Sequence, residues 1–299
     1  MALVAHGAIV LPAHAAGGFD HGDVVRATGM VFVAHPANGT VEVLDGPAGR
    51  HLATVPGCPE ASGVLCAEDA GLVFAAARGG GRVLVLRAVD GTVVREAAVG
   101  PRPNGLAWDA GRARLLVADV EDLRARLLDP ASGVAVANRP LPGRPRWCVV
   151  DTAGDRFLVN VRDPACVILL DARDLAEVGR WPVSSPGPHG LDLDPATGRA
   201  FVACDRGLLV ALDLRTGREV GSVPLAGEPD AVWFHPAARR LYVAIGRPGL
   251  VQVIDTDALA LTQEVATEEG AHTTAFDPVR GLLYVFLPQS GQAAMYRQG

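Results

Sequence analysis

The chain has 299 residues, 49% of them hydrophobic and 20% charged, which excludes a disordered polypeptide and allows a sizeable core. Its 27 basic side chains are all arginine, which excludes Schiff-base or phosphate-binding lysine chemistry, and 33 acidic residues bring the net charge to −6. An acidic chain without a basic run lacks the clustered positive charge of a nucleic-acid binder, and no apolar stretch reaches the about 18 residues of a membrane span.

The first segment, Ala2–Leu11, is apolar but has no basic residues before it, so it reads as a strand rather than an export signal. Five cysteines, Cys58, Cys66, Cys148, Cys166 and Cys204, form no CxxC pair. They read as buried free thiols of a reducing compartment, which makes a cytoplasmic location the expectation.

From residue 20 onward the chain repeats itself. The stretch HGLDLDPATGRAFVACDRGLLVALDLRTGREVGSVPLAG, from His189 to Gly227, has counterparts opening at Asp20, Ser62, Asn104, Arg146, Asp230 and His272. Successive openings lie 42, 42, 42, 43, 41 and 42 residues apart. Each copy reads as four short strands with alternating β-branched residues, separated by turns rich in Gly, Asp and Pro. No copy carries helical periodicity. Seven four-stranded units of this length describe an all-β, seven-bladed β-propeller, read here as a single domain over residues 1–299. The last copy supplies only three strands, so Ala2–Leu11 is expected to complete that blade and close the ring.

Propeller topology puts the aligned openings at one mouth of the central channel. The expected ring is Asp20 or His21, Ser62, Asn104, Arg146, His189, Asp230 and His272. Around it, on the loops that leave the second strands, come His35, Arg78, Asp119, Glu121, Asn160, Arg162, Cys204, Asp205 and Arg247, with Glu60 on the approach to Ser62. Solvation of a channel and pinning of loops account for such polar residues without any activity. Their distribution is sharper: Asp20, His21, His189, Asp230 and His272 form an arc of imidazoles and carboxylates. Such donors suit one divalent metal, Zn or Mn with nitrogen ligands, Mg or Ca with carboxylates. His272 or Asp230 could instead act as a catalytic base. Ser62, Asn104 and Arg146, with Glu60 and His35, are the expected substrate-binding residues, Arg146 offering a planar fork to a carbonyl or carboxylate.

Other features read as structural. Trp147 and Trp233 are expected to pack between blades, Cys204 to be a buried thiol rather than a nucleophile, and Asp119–Asp122 (DVED) to be a solvated loop. The chain has no GxGxxG before a helix, no GxxxxGK[ST] and no HExxH, so no nucleotide cofactor is expected.

The repeat PHGLDLDPATGRAFVA…LLVALDLRTGREV, with Pro188, His189 and Gly190 at a blade opening, resembles the YncE-like (YVTN) seven-bladed propellers. More distantly it is similar to the NHL and gluconolactonase/regucalcin superfamily. The lactonase branch holds a divalent metal at the channel mouth with Glu, Asn and Asp and opens sugar lactones; Glu60, Asn104 and Asp230 offer those residue types here. The resemblance therefore implies a metal-assisted hydrolase acting on a small carbonyl compound, a lactone being the leading candidate. The alternative is a non-catalytic propeller presenting its loop-rich face to a small ligand or a protein. A closed ring needs no partner for its edges, so a monomer is expected.

Overall fold

The computed structural model of the chain describes residues 2–14 and 17–298. Seven four-stranded antiparallel sheets follow one another around a central channel. Six blades are built from consecutive strands, at residues 20–55, 61–98, 103–140, 145–182, 188–224 and 229–266. The seventh uses Thr274–Asp277, Leu282–Leu287 and Gln292–Gln298, and the strand Leu3–Val10 pairs with its outer edge. The expected closure by the N-terminal strand is therefore what the chain does. Among the described residues no helix is long and apolar enough to cross a membrane.

The 42-residue period has a packing reason. Aligned positions on the second strands hold Phe32, Phe74, Leu116, Leu158, Phe201, Tyr242 and Tyr284, all fully buried. These large side chains lie in cores that span neighbouring blades; Phe32, for example, joins Val73, Ala75 and Leu84 of blade 2. Leaving the interior, the outermost strands alternate exposed and half-buried residues, as in Arg50–Val55 and Val134–Pro140.

The inner strands contain the feature that positions the site. In six blades the pairing between first and second strand slips just after the opening, between Asp20 and Gly22, Ala61 and Val64, Pro103 and Gly105, Pro145 and Cys148, Pro188 and Gly190, and Pro229 and Val232. A bulge releases one residue from the ladder and re-aims its side chain. The released positions include His21, Asn104, Arg146, His189 and Asp230. Gly190 follows one such bulge for a steric reason: a Cβ there would stand 2.3 Å from the Asp230 carbonyl oxygen and 2.5 Å from Val232 Cγ2.

One expectation about the surroundings is corrected and one is extended. Asp119 is fully buried; its carboxylate accepts the backbone N–H of Arg102 (2.8 Å), Glu121 (3.0 Å) and Asp122 (3.1 Å). It therefore ties the DVED turn to the loop before blade 3 instead of facing solvent. Trp147 and Trp233 pack as expected against cores shared by neighbouring blades, 4 with 5 and 6 with 7, and their rings also line the channel, with centroids 6.0 Å apart edge to face.

The cysteines are free, and burial raises Cys58 and Cys204 to about 12. Cys204, with no exposed surface, is the inert thiol expected of it.

Candidate functional site

The mouth at the strand openings is a cavity of about 380 Å³. Asp20, His21, Asn104, Arg146, His189, Asp230 and His272 all line it, joined by Arg78, Glu228 and Arg247. Three other residues expected here are elsewhere. Ser62 occupies the equivalent opening in blade 2 but is fully buried, its short side chain donating to the Pro103 carbonyl at 3.0 Å. His35 is also fully buried, turned into blade 1 towards Glu42 (3.0 Å) and His14 (2.9 Å). Glu60 stands on the rim outside the cavity wall, paired with Arg102 at 2.5 Å. None of the three reaches a ligand in the cavity.

Asp230 is the hub of the acidic side. His272 Nδ1 lies 2.8 Å from its Oδ2, and His189 Nε2 (3.2 Å) and Trp147 Nε1 (3.3 Å) lie by its Oδ1. Burial opposes ionisation of Asp230, but the His189 charge and the hydrogen bonds from both histidines outweigh it and hold the carboxyl well below the usual range. His189 also meets Asp205 through Nδ1 at 2.7 Å, so both ring nitrogens face carboxylates. Burial alone would discharge this imidazole; Asp230 and Asp205 raise it to about 9. His272 is raised as well, against its own burial, chiefly by Asp230. Its side chain is 40% exposed, and among the described residues its Nε2 makes no hydrogen bond. Asp20 pairs with His21 (2.6 Å) and Arg78 (3.2 Å), which pull it to about 2 against its burial.

The opposite wall is cationic. Arg78 is held by Asp20 and by the Asn104 side-chain oxygen, whereas Arg247 stands on the His272 side, paired with Glu269. Arg146, half-buried, makes no ion pair among the described residues, and its Nε is buried without a hydrogen-bond partner. Burial disfavours its charge, while Asp230, Asp205 and Asp20 support it through space. Arg144 is lowered first by burial and then by the charges of Arg146, Arg162, Arg78 and Arg102, of which Arg146 and Arg78 line the cavity.

The expected metal set does not converge. Asp20 and His21 engage each other, Asp230 bridges two histidines, and of the five only His189 belongs to a group whose ligand atoms approach one another. That group is His189, Asp205 and Glu228, with donor atoms within 4.8 Å of one another. It could hold a metal ion: one nitrogen and two carboxylates suit a borderline or hard divalent cation, and Asp205 Oδ2 is buried without a hydrogen bond. Arg162 Nε stands 2.7 Å from that oxygen and competes for it.

Glu228, Arg102 and Arg144 were not among the residues expected at the mouth, whereas Arg78, Arg146 and Arg162 were, although a signal for the first three was present. Glu228, Arg102 and Arg144 each stand immediately before the proline that begins an inner strand, in Glu228-Pro229-Asp230, Arg102-Pro103-Asn104 and Arg144-Pro145-Arg146. Four of the seven blades carry that proline, and in the fourth of these Gly187 holds the position.

No protein-family model matches the sequence, and no curated protein matches it. Among solved structures it is similar to a chain in "Crystal Structure of Mitotic Checkpoint Complex", with a TM-score of 0.83 over 98% of this chain and 91% of that one. The fold is that of a seven-bladed β-propeller. At 14% identity the likeness is one of fold alone, and it carries no family assignment within the propellers.

The two carboxylates around His189 make stability pH-dependent. A raised folded-state pKa contributes stability below the ordinary value near 6.5, lost as pH rises through about 9. The melting temperature is expected to fall across that window in the wild type and to fall less in His189→Gln. Equal slopes in thermal melts of the two proteins would contradict the assignment.

Proposed function

We propose that the channel mouth is a hydrolytic site for a small carbonyl compound, a lactone being the substrate class that fits best. The observation that carries this reading is Arg146, a half-buried guanidinium without an ion-pair partner, lining one cavity with the His272–Asp230 pair. An unpaired planar fork favours a carbonyl oxygen that gains negative charge, or the carboxylate that hydrolysis releases. His272 lines the cavity with Nδ1 fixed by Asp230, which leaves Nε2 as the nitrogen that would act as a base towards water.

The step balances on residues of this chain. Water adds to the acyl carbon as His272 Nε2 takes its proton; the acyl C–O bond to the ring oxygen breaks, and the departing alkoxide takes that proton back. The product is a hydroxy acid, whose proton is released to solvent above its pKa and whose carboxylate meets Arg146. Arg78, oriented by Asp20 and Asn104, adds positive charge beside the same oxygen.

The second reading adds a metal, and the His189–Asp205–Glu228 group favours it. Bound there, a divalent cation would supply Lewis acidity and lower the pKa of a coordinated water. His189 would surrender a proton to bind it, so affinity would rise with pH towards 9.

The test is proton release from a panel of γ- and δ-lactones and simple esters, using untagged protein before and after chelation and after readdition of Zn, Mn, Mg or Ca. Turnover that survives chelation supports the acid–base reading, and turnover restored by one metal at unit stoichiometry supports the second. No turnover of any substrate in any metal state would overturn both. It would leave the mouth as a binding site, the role a non-catalytic propeller with a small-molecule or protein partner would give it.

A further inference from the structure

The channel widens again at its other end into a second cavity of about 500 Å³, within the size range of small-molecule sites. Its wall is mostly aliphatic, interrupted by Trp108, Trp147, Trp233, Asp23, Asp192 and Arg26. The bulged inner strands bring the three indoles here from blades 3, 4 and 6, and each remains half-buried.

All three indole N–H groups are already engaged: Trp108 with Asp69 (2.8 Å), Trp147 with Asp230 (3.3 Å) and Trp233 with the Thr274 carbonyl (3.2 Å). What they offer a ligand is therefore ring surface, which favours an apolar body or a cation and gives a polar neutral molecule nothing to bond. The two carboxylates supply the choice between these. Asp23 accepts the N–H of Val24 (2.7 Å) and Cys66 (2.8 Å), and Asp192 that of Leu193 (2.8 Å) and Phe234 (2.6 Å). These bonds clip blade 1 to blade 2 and blade 5 to blade 6, but neither carboxylate has an ion-pair partner among the described residues. Arg26 is the one arginine on the wall, and the imidazole of His21, which also lines it, is paired with Asp20, so two carboxylates face one guanidinium and one unit of negative charge is left over. Burial pushes both carboxyls up to about 6, so a cation between them would relieve an existing cost.

We propose that this second cavity binds an organic cation, an ammonium group carrying apolar substituents, with the indoles around its body and Asp23 and Asp192 beside its charge. The site is separate from the hydrolytic mouth and does not depend on that reading. Trp147 joins the two, since its ring lines this cavity while its N–H reaches Asp230.

The experiment is a calorimetric and tryptophan-fluorescence titration with choline and with its uncharged carbon isostere, 3,3-dimethylbutan-1-ol. Choline is expected to bind saturably with the isostere about tenfold weaker, the discrimination a desolvated cation–π and carboxylate site gives. Trp233→Leu and Asp192→Asn are each expected to weaken choline about tenfold while leaving the isostere's binding less affected by the carboxylate change. Because Asp192 also clips two blades, Trp108→Leu replaces it as the second variant if Asp192→Asn fails to melt as a folded protein. Equal affinity for choline and isostere, unchanged choline binding in folded variants, or no binding at millimolar choline would each overturn the proposal.

Discussion

A chain lacking residues 1–11 is expected to lose most of its stability and to self-associate. The strand Leu3–Val10 buries Leu3 and Ile9, and Leu11 follows it into the core of the closing blade. At about 2 kcal/mol for each buried aliphatic side chain, these three contribute roughly 6 kcal/mol. That is comparable to the about 5–15 kcal/mol by which a whole domain is stable. The strand also joins two blades: it pairs with Gln292–Gln298, while Gln263 of blade 6 exchanges hydrogen bonds with the Leu3 backbone at 2.7 and 2.9 Å. Deletion leaves Gln292–Gln298 as an open edge, a template for pairing with another chain. Size-exclusion chromatography and thermal melts check this; a truncated chain that stays monodisperse with the wild-type melting temperature would contradict the closure.

The second large effect belongs to His272 and the carboxylate behind it. His272→Ala is expected to lower kcat for lactone hydrolysis by about a hundredfold or more, the usual contribution of a positioned base, with little change in KM. The side chain is 40% exposed, so its removal costs the ring little packing. Asp230→Asn should act through the pH profile. A base works when neutral, and His272 is raised above its ordinary value, so kcat/KM should rise with pH through that raised value. Replacing Asp230 removes the charge that raises it, and the rising limb should move to lower pH. Asp230 also stabilises the His189 imidazolium, so this variant should melt at lower temperature as well. A profile that stays in place while kcat falls would make Asp230 structural only.

The fold was legible because each blade must solve the same packing problem within about 42 residues, with a large side chain on the second strand and Gly, Asp or Pro at the turns. The mouth was legible only in part. Chain spacing identified the equivalent openings, and Asn104, Arg146, His189, Asp230 and His272 do line one cavity. It could not show reach: Ser62 holds the same position, yet one hydroxymethyl group extends only to the next blade's carbonyl. Nor could it show partners. His35 turns inward because the buried Glu42 requires donors, found in Thr40 and Thr54 (both 2.6 Å), His51 (2.9 Å) and His35 itself. Alternation in the strand Thr40–Asp45 carries no sign of that network. The convergence of Arg102 and Arg144 with Arg78, Arg146 and Arg162 likewise depends on how the blades close around the channel.

Chemical rescue asks whether the His272 imidazole itself is the base. The lactone hydrolysis lost in His272→Ala should return when imidazole is added, in proportion to its neutral form. A His272→Ala protein that hydrolyses lactones at the wild-type rate would place the chemistry away from this residue and contradict the account.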